Sequence, residues 1–259
     1  MTITAAQVKE LREMTWVWMM ECKEALVKTD WDMEKAMEEL RIKGLSKAAK
    51  KADRETSEGF IKIEIEGSKC YVVSLTCETD FLAKSDGFQK LLANLLDMLK
   101  AGKSLEELEQ VKKESVLELW ENMTIKVAKV IEWGKVESYV HSNGKLASVV
   151  VSKKSDTDSE KLKQVAMHVT ATNPDFLSTS DISAEAVEKE KSIQMEIMKN
   201  DPKMVGKPEQ VLENILAWKL NKFKEDITLL EQAFVVNPDL KVKQFIWEDT
   251  LEAFYRFSI

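Results

Sequence analysis

Ile61-Lys62-Ile63-Glu64-Ile65-Glu66, then Gly67-Ser68-Lys69, then Tyr71-Val72-Val73-Ser74-Leu75-Thr76-Cys77 is the stretch that decides the fold class. Three isoleucines alternate with charged residues, the period of two that sends successive side chains to opposite faces of a strand. The glycine-containing triplet makes the turn, and the β-branched run after it is the returning strand. A leucine-rich helix is predicted next, over 87–99. The same order recurs downstream: a strand over 135–141, a turn at Ser142-Asn143-Gly144-Lys145, a strand over 146–152 and a helix over 159–171. Two hairpin-plus-helix units predict two related antiparallel subdomains of an α+β core.

On both sides the spacing becomes helical. Thr4-Ala5-Ala6-Gln7 has the form of a capping box. Val8, Leu11 and Thr15 line a first helix, and Met19, Cys22 and Leu26 a second. Met33, Ala36, Met37 and Leu40 line a third, which is expected to stop at Gly44 as its C-cap. A polar connector helix is expected over 46–57, carrying Lys47, Lys50, Lys51 and Arg54, and a charged helical region over 104–121. After Asn173-Pro174, helical stretches over 184–199 and 209–223 are broken by Asp201-Pro202 and Gly206-Lys207-Pro208, which predicts an antiparallel helical hairpin. Ala253-Phe254-Tyr255-Arg256-Phe257 reads as a closing strand. The domains are accordingly read as a three-helix module with connector over 1–55, a first core subdomain over 56–134, and a second over 135–259. The helical hairpin is inserted in the last at about 182–228.

Composition narrows the function classes. With 44% apolar and 32% charged residues in 259, the chain can bury a core and is not a disordered tail. Thirty-eight basic against 45 acidic side chains leave a net charge of −7, which argues against wrapping nucleic acid. Cys22, Cys70 and Cys77 are odd in number and form no C-x-x-C pair, so they read as free thiols in a reducing compartment. No apolar run reaches membrane-spanning length, and Met1 to Glu10 shows no leader pattern; a cytoplasmic protein is expected. Ala101-Gly102-Lys103-Ser104 fails as a phosphate-binding loop because position 97 is Asp97 and the run before it is helical. Two histidines and three scattered cysteines give no zinc spacing, and no serine or cysteine sits in a nucleophile motif. Neither enzyme chemistry nor a cofactor or metal is expected.

Five separated stretches point one way. They are Val8-Lys9-Glu10-Leu11-Arg12-Glu13 with Met19-Met20-Glu21-Cys22-Lys23-Glu24-Ala25-Leu26; Thr79-Asp80-Phe81-Leu82-Ala83-Lys84; Tyr139-Val140-His141 with Gly144-Lys145; Val165-Ala166-Met167-His168-Val169; and Gly206-Lys207-Pro208-Glu209 with Lys222-Phe223 and Leu229-Leu230-Glu231-Gln232-Ala233-Phe234-Val235. In this order they resemble the elongation factor Ts family, nucleotide-exchange partners of the GTPase elongation factor Tu. Leu82 is one aliphatic swap from the family's most specific signature.

The resemblance implies a ubiquitin-associated-like N-terminal module that docks on the nucleotide-binding domain of elongation factor Tu through Arg12, Met19 and Met20. It implies that Thr79, Asp80, Phe81, Leu82, Ala83 and Lys84 form a loop entering the partner near its magnesium and phosphate site. It also implies that the helix of His168 reaches the partner's phosphate-binding loop. Each has a plainer reading: Met19 and Met20 as bundle core, Phe81 folded back with Asp80 as a helix cap, and His168 as a satisfied core histidine. The implied activity is guanine-nucleotide exchange; the rival is a protein-binding module without exchange activity.

The tryptophans depart from the family. Trp16, Trp18, Trp31, Trp120, Trp133 and Trp218 stand where its pattern usually has glycine. Trp31 lies in Asp30-Trp31-Asp32, a tight interhelical turn where a positive φ is expected. Eight glycines are about 3% of the chain against a usual ~7%, and counting the seven tryptophans with them brings about 6%. The expectation is that these tryptophans mark UGA codons read as glycine by the source cell; the plainer reading is a lineage that uses tryptophan there. Trp247 has no such alignment.

Overall fold

A computed structural model describes residues 5–15, 17–51, 54–132, 134–204, 206–247 and 250–259; for 45–51 it describes the backbone alone. The capping box begun by Thr4, and Trp16 and Trp133, lie outside the described residues. The chain divides into two compact units, Met1–Glu64 with Tyr71–Val130 and Ile259, and Ile65–Cys70 with Ile131–Ser258.

Three helices open the first unit: α1 (Ala5–Thr15), α2 (Met19–Lys28) and α3 (Met33–Lys51). Their shared core is Val8, Leu11, Cys22, Ala25, Leu26, Ala36 and Leu40, residues at the three-and-four spacing that places them on inward faces. Gly44 does not end the third helix. α3 runs straight through it to Lys51, so the expected stop and the separate connector helix over 46–57 are both corrected. The physical reason is packing. A Cβ at Gly44 would meet the Leu117 side chain at 2.7 Å, so the glycine permits a close helix–helix approach and is not a C-cap.

The hairpin follows as β1 (Glu58–Glu66) and β2 (Lys69–Cys77). After it come a short α4 (Asp80–Ala83), then α5 (Asp86–Lys100) and α6 (Leu105–Leu119). A strand that the sequence reading did not anticipate, β3 (Met123–Glu132), completes a sheet of order β1-β2-β3. β2 is central and buried from Cys70 to Cys77. One of its faces supplies Tyr71, Val73, Leu75 and Cys77 to a core shared with Phe88, Leu91, Leu92, Leu95 and Leu96 of α5. Thr76 on the other face bonds Thr56 Oγ1 at 2.8 Å, satisfying two buried hydroxyls at once. α6 starts with a complete capping box: Ser104 Oγ accepts from the Glu107 N–H, and the Glu107 carboxylate accepts from the Ser104 N–H at 2.8 Å. Ser104→Ala is expected to lower the unfolding free energy by ~1 kcal/mol, measured by urea titration.

The second unit repeats the pattern. β4 (Lys135–Val140) pairs antiparallel with β5 (Leu146–Ser152) in a register that sets Lys135 opposite Ser152 and Val140 opposite Ala147. The closing strand β8 (Leu251–Ser258) pairs antiparallel with the other edge of β5, giving the order β4-β5-β8. α7 (Ser159–Thr172) lays Leu162, Val165, Ala166 and Val169 into a core with Val150, Leu229, Leu230 and Phe234. The helical hairpin is present as α8 (Ala184–Asn200) and α9 (Glu209–Ile227), which contact each other. The small elements β6 (Ala233–Phe234), β7 (Asn237–Lys241) and α10 (Val242–Ile246) close the unit and were not anticipated. They are too short for periodicity to register. The architecture is α+β, as the hairpins implied.

Candidate partner-binding site

The six-residue stretch after β2 is a capped helical turn and not an open loop. Thr79 is the N-cap of α4: its Oγ1 accepts from the Leu82 N–H at 3.2 Å. That hydroxyl also donates to Glu121 Oε1 at 2.6 Å, while the Thr79 N–H donates to Glu121 Oε2 at 2.8 Å. One carboxylate thus clamps both polar groups of the cap. Ser85 caps the next helix through the Phe88 N–H, and Gln89 Nε2 donates to the Ala83 carbonyl at 2.8 Å. Below the turn, Glu78 Oε1 accepts from the Asn122 N–H at 2.7 Å and its other oxygen pairs with Arg54 at 3.2 Å.

This scaffold divides the signature between inside and outside. Leu82 and Ala83 belong to the core of the first unit. Phe81 points outward with 84% of its surface exposed. Asp80 and Lys84 form an ion pair at 2.8 Å on the solvent side, and the lysine's hydrogen bond holds the Asp80 carboxyl below the usual carboxylate range. A benzyl ring left in water on a turn clamped from both ends costs apolar burial that the fold could have used. It also has little conformational freedom left to lose on binding.

In the N-terminal helices Arg12, Met19 and Met20 are all exposed. The reading of both methionines as bundle core does not hold in the structure: the core of the bundle is built without them. Arg12 and Met19 line a shallow groove with Val17, Trp18 and Trp120.

His168 lies in the second unit and is fully buried. The Val235 N–H donates to its Nδ1 at 3.2 Å, so the proton sits on Nε2 and is donated to Gln232 Oε1 at 2.9 Å. Its ring lies 5.7 Å from that of Phe234. Leu82, Ala83 and His168, which the resemblance implies as partner contacts, are therefore all buried in the folded chain by itself. Beside His168, Met167, Val235 and Val236 are the exposed apolar residues, around a groove that Tyr139, His141 and Arg256 also line. Val235 ends the last of the stretches quoted for the resemblance and Val236 follows it, but nothing in the sequence marked either as exposed.

Burial drives the His168 pKa down from its ordinary 6.5, against a smaller upward pull from Gln232. The unfolded chain therefore takes up a proton near pH 6.5 that the folded chain refuses. This histidine's contribution to stability is complete above that pH and is lost as pH falls from 6.5 through the lower folded value. Lowering the pH from about 7.5 to about 5.5 is expected to destabilise the wild type more than a His168→Gln variant, in paired thermal melts.

Burial also pushes the Cys70 and Cys77 thiols up to about 12, so neither is a nucleophile at neutral pH. Among the described residues no group of three His, Cys, Asp or Glu side chains could hold a metal ion, and no helix is long and apolar enough to cross a membrane. A family model described as elongation factor TS matches residues 78–259, more than half of the chain, and begins one residue before Thr79.

Proposed function

Since this chain belongs to the elongation factor Ts family, we propose that it promotes GDP release from elongation factor Tu during translation elongation. The observation that carries the reading is Phe81, exposed beside Asp80 on a turn clamped by Glu121 and Ser85. No covalent step is needed. A GTPase holds the phosphates of its nucleotide with loop N–H groups and Mg²⁺. A preformed aromatic and a carboxylate entering beside that site compete for the space and the charge that hold the ion. Nucleotide and exchange factor then weaken each other's binding by one common factor, as linkage requires. Arg12, Met19 and Met20 would supply a second contact, on the nucleotide-binding domain. The setting is cytoplasmic, with no direct role for nucleic acid or membrane.

Labelled GDP release from elongation factor Tu, with and without this chain, tests the proposal. Faster release supports it. A stable complex with unchanged release would select the rival, a protein-binding module without exchange activity.

A further inference from the structure

Among the described residues, five that are not glycine have a positive φ: Asp30 at 49°, Trp31 at 72°, Trp120 at 65°, Asn173 at 50° and Trp247 at 66°. Aspartate and asparagine visit this region because a short polar side chain can bond locally. Tryptophan has no such compensation, and its Cβ is crowded against the following carbonyl oxygen. Even so, three of the five described tryptophans sit there.

Each does so at a helix end where the chain must reverse. After α2 the Asp30 N–H bonds the Val27 carbonyl at 3.4 Å and the Trp31 N–H reaches back to the Leu26 carbonyl at 2.8 Å, a helix-terminating turn in which Asp30 takes the left-handed position and Trp31, next along, must also hold a positive φ. Trp120 is the left-handed cap of α6, with φ 65° and ψ 3° and its N–H on the Val116 carbonyl at 3.1 Å. Trp247 follows α10 at φ 66° and ψ 126°, which lies outside even the left-handed helical region that other residues visit, at ψ of about +30 to +60°.

Burial does not repay the strain. A tryptophan normally stabilises a fold by covering a large apolar surface. Of the strained tryptophans, Trp247 is 74% exposed and Trp120 41%. Trp31 packs partly against a core, that of the three N-terminal helices.

We infer that residues 31, 120 and 247 are glycine in the protein as its own ribosomes make it, each tryptophan marking a UGA codon that the source cell decodes as glycine. UGA is tryptophan under one code and glycine under another, so a single misassigned codon accounts for all three positions. Position 247 is assigned by its backbone alone. Any of positions 16, 18, 133 and 218 encoded by UGA follows from the same decoding.

The site is affected directly. Trp120 lines the groove that holds Arg12 and Met19, so a glycine there opens that surface. Residue 120 also precedes Glu121, the carboxylate that clamps Thr79, and a glycine there sets the clamp without strain. The assignment does not depend on exchange activity.

Two measurements test it. The gene must carry UGA at positions 31, 120 and 247; UGG at any of them overturns the inference. Peptide mass spectrometry of the chain purified from its source cells must then return glycine at all three, and tryptophan at any one overturns it. In recombinant chains, Trp120→Gly and Trp247→Gly are each expected to cut the unfolded fraction about tenfold in denaturant titrations. Loss of stability in both variants would count against the assignment independently.

Discussion

Phe81→Ala is expected to raise the concentration of this chain needed for half-maximal GDP release from elongation factor Tu by about 30-fold or more. The unfolding midpoint should be unchanged. Both halves follow from one fact, the 84% exposure of the ring. Truncating it removes almost no packing from the free chain, and surface changes of that kind usually stay within about 0.5 kcal/mol. On the proposed function the same ring would be a rigid aromatic anchor in the complex, the kind of residue whose loss costs about 2 kcal/mol or more. Glu121→Ala should weaken exchange less, because it loosens the turn and leaves the ring in place. A Phe81→Ala variant as potent as wild type would remove the turn from the mechanism.

Gly59→Ala is expected to destabilise the first unit by ~3 kcal/mol or more. Gly59 has φ +148°, and a Cβ built on it would lie 2.2 Å from the Leu75 carbonyl oxygen and 2.8 Å from the Thr76 Cα. Both are backbone atoms of the central strand, which cannot rotate away as a side chain can. Gly102→Ala is the control: φ is +76°, but nothing lies within 4 Å. It should cost only the backbone strain, about 1–2 kcal/mol. Urea titrations of the two variants separate the contact from the conformation. Equal losses would mean that β1 shifts to admit the methyl group. The signature turn begins two residues after β2 ends, so the Gly59 variant should also lose exchange activity wherever the sheet is unfolded.

The α+β class, both hairpins, the helices after them and the closing strand were legible because each is written in local periodicity. Ile61, Ile63 and Ile65 need no knowledge of the rest of the chain to read as a strand. The strand β3 was not legible: its burial pattern is irregular, and its place is set by pairing with β2. Gly44 looked like a helix stop because glycine often is one, but the nearby Leu117 side chain gives it a different job. A close approach between segments distant in sequence leaves no mark in either segment alone.

The candidate site divides in the same way. Sequence by itself determined which stretch to examine, Thr79 to Lys84, and that position 31 lay in a turn hostile to tryptophan. Only the tertiary structure decided that Phe81 faces water while Leu82 and Ala83 face the core, and that His168 is enclosed by Gln232 and Val235. It alone showed that residues 120 and 247 also hold a positive φ. The reason is physical: residue type and spacing set which conformations a segment can take, whereas burial and backbone sign at a helix end are fixed by what the rest of the chain brings against it.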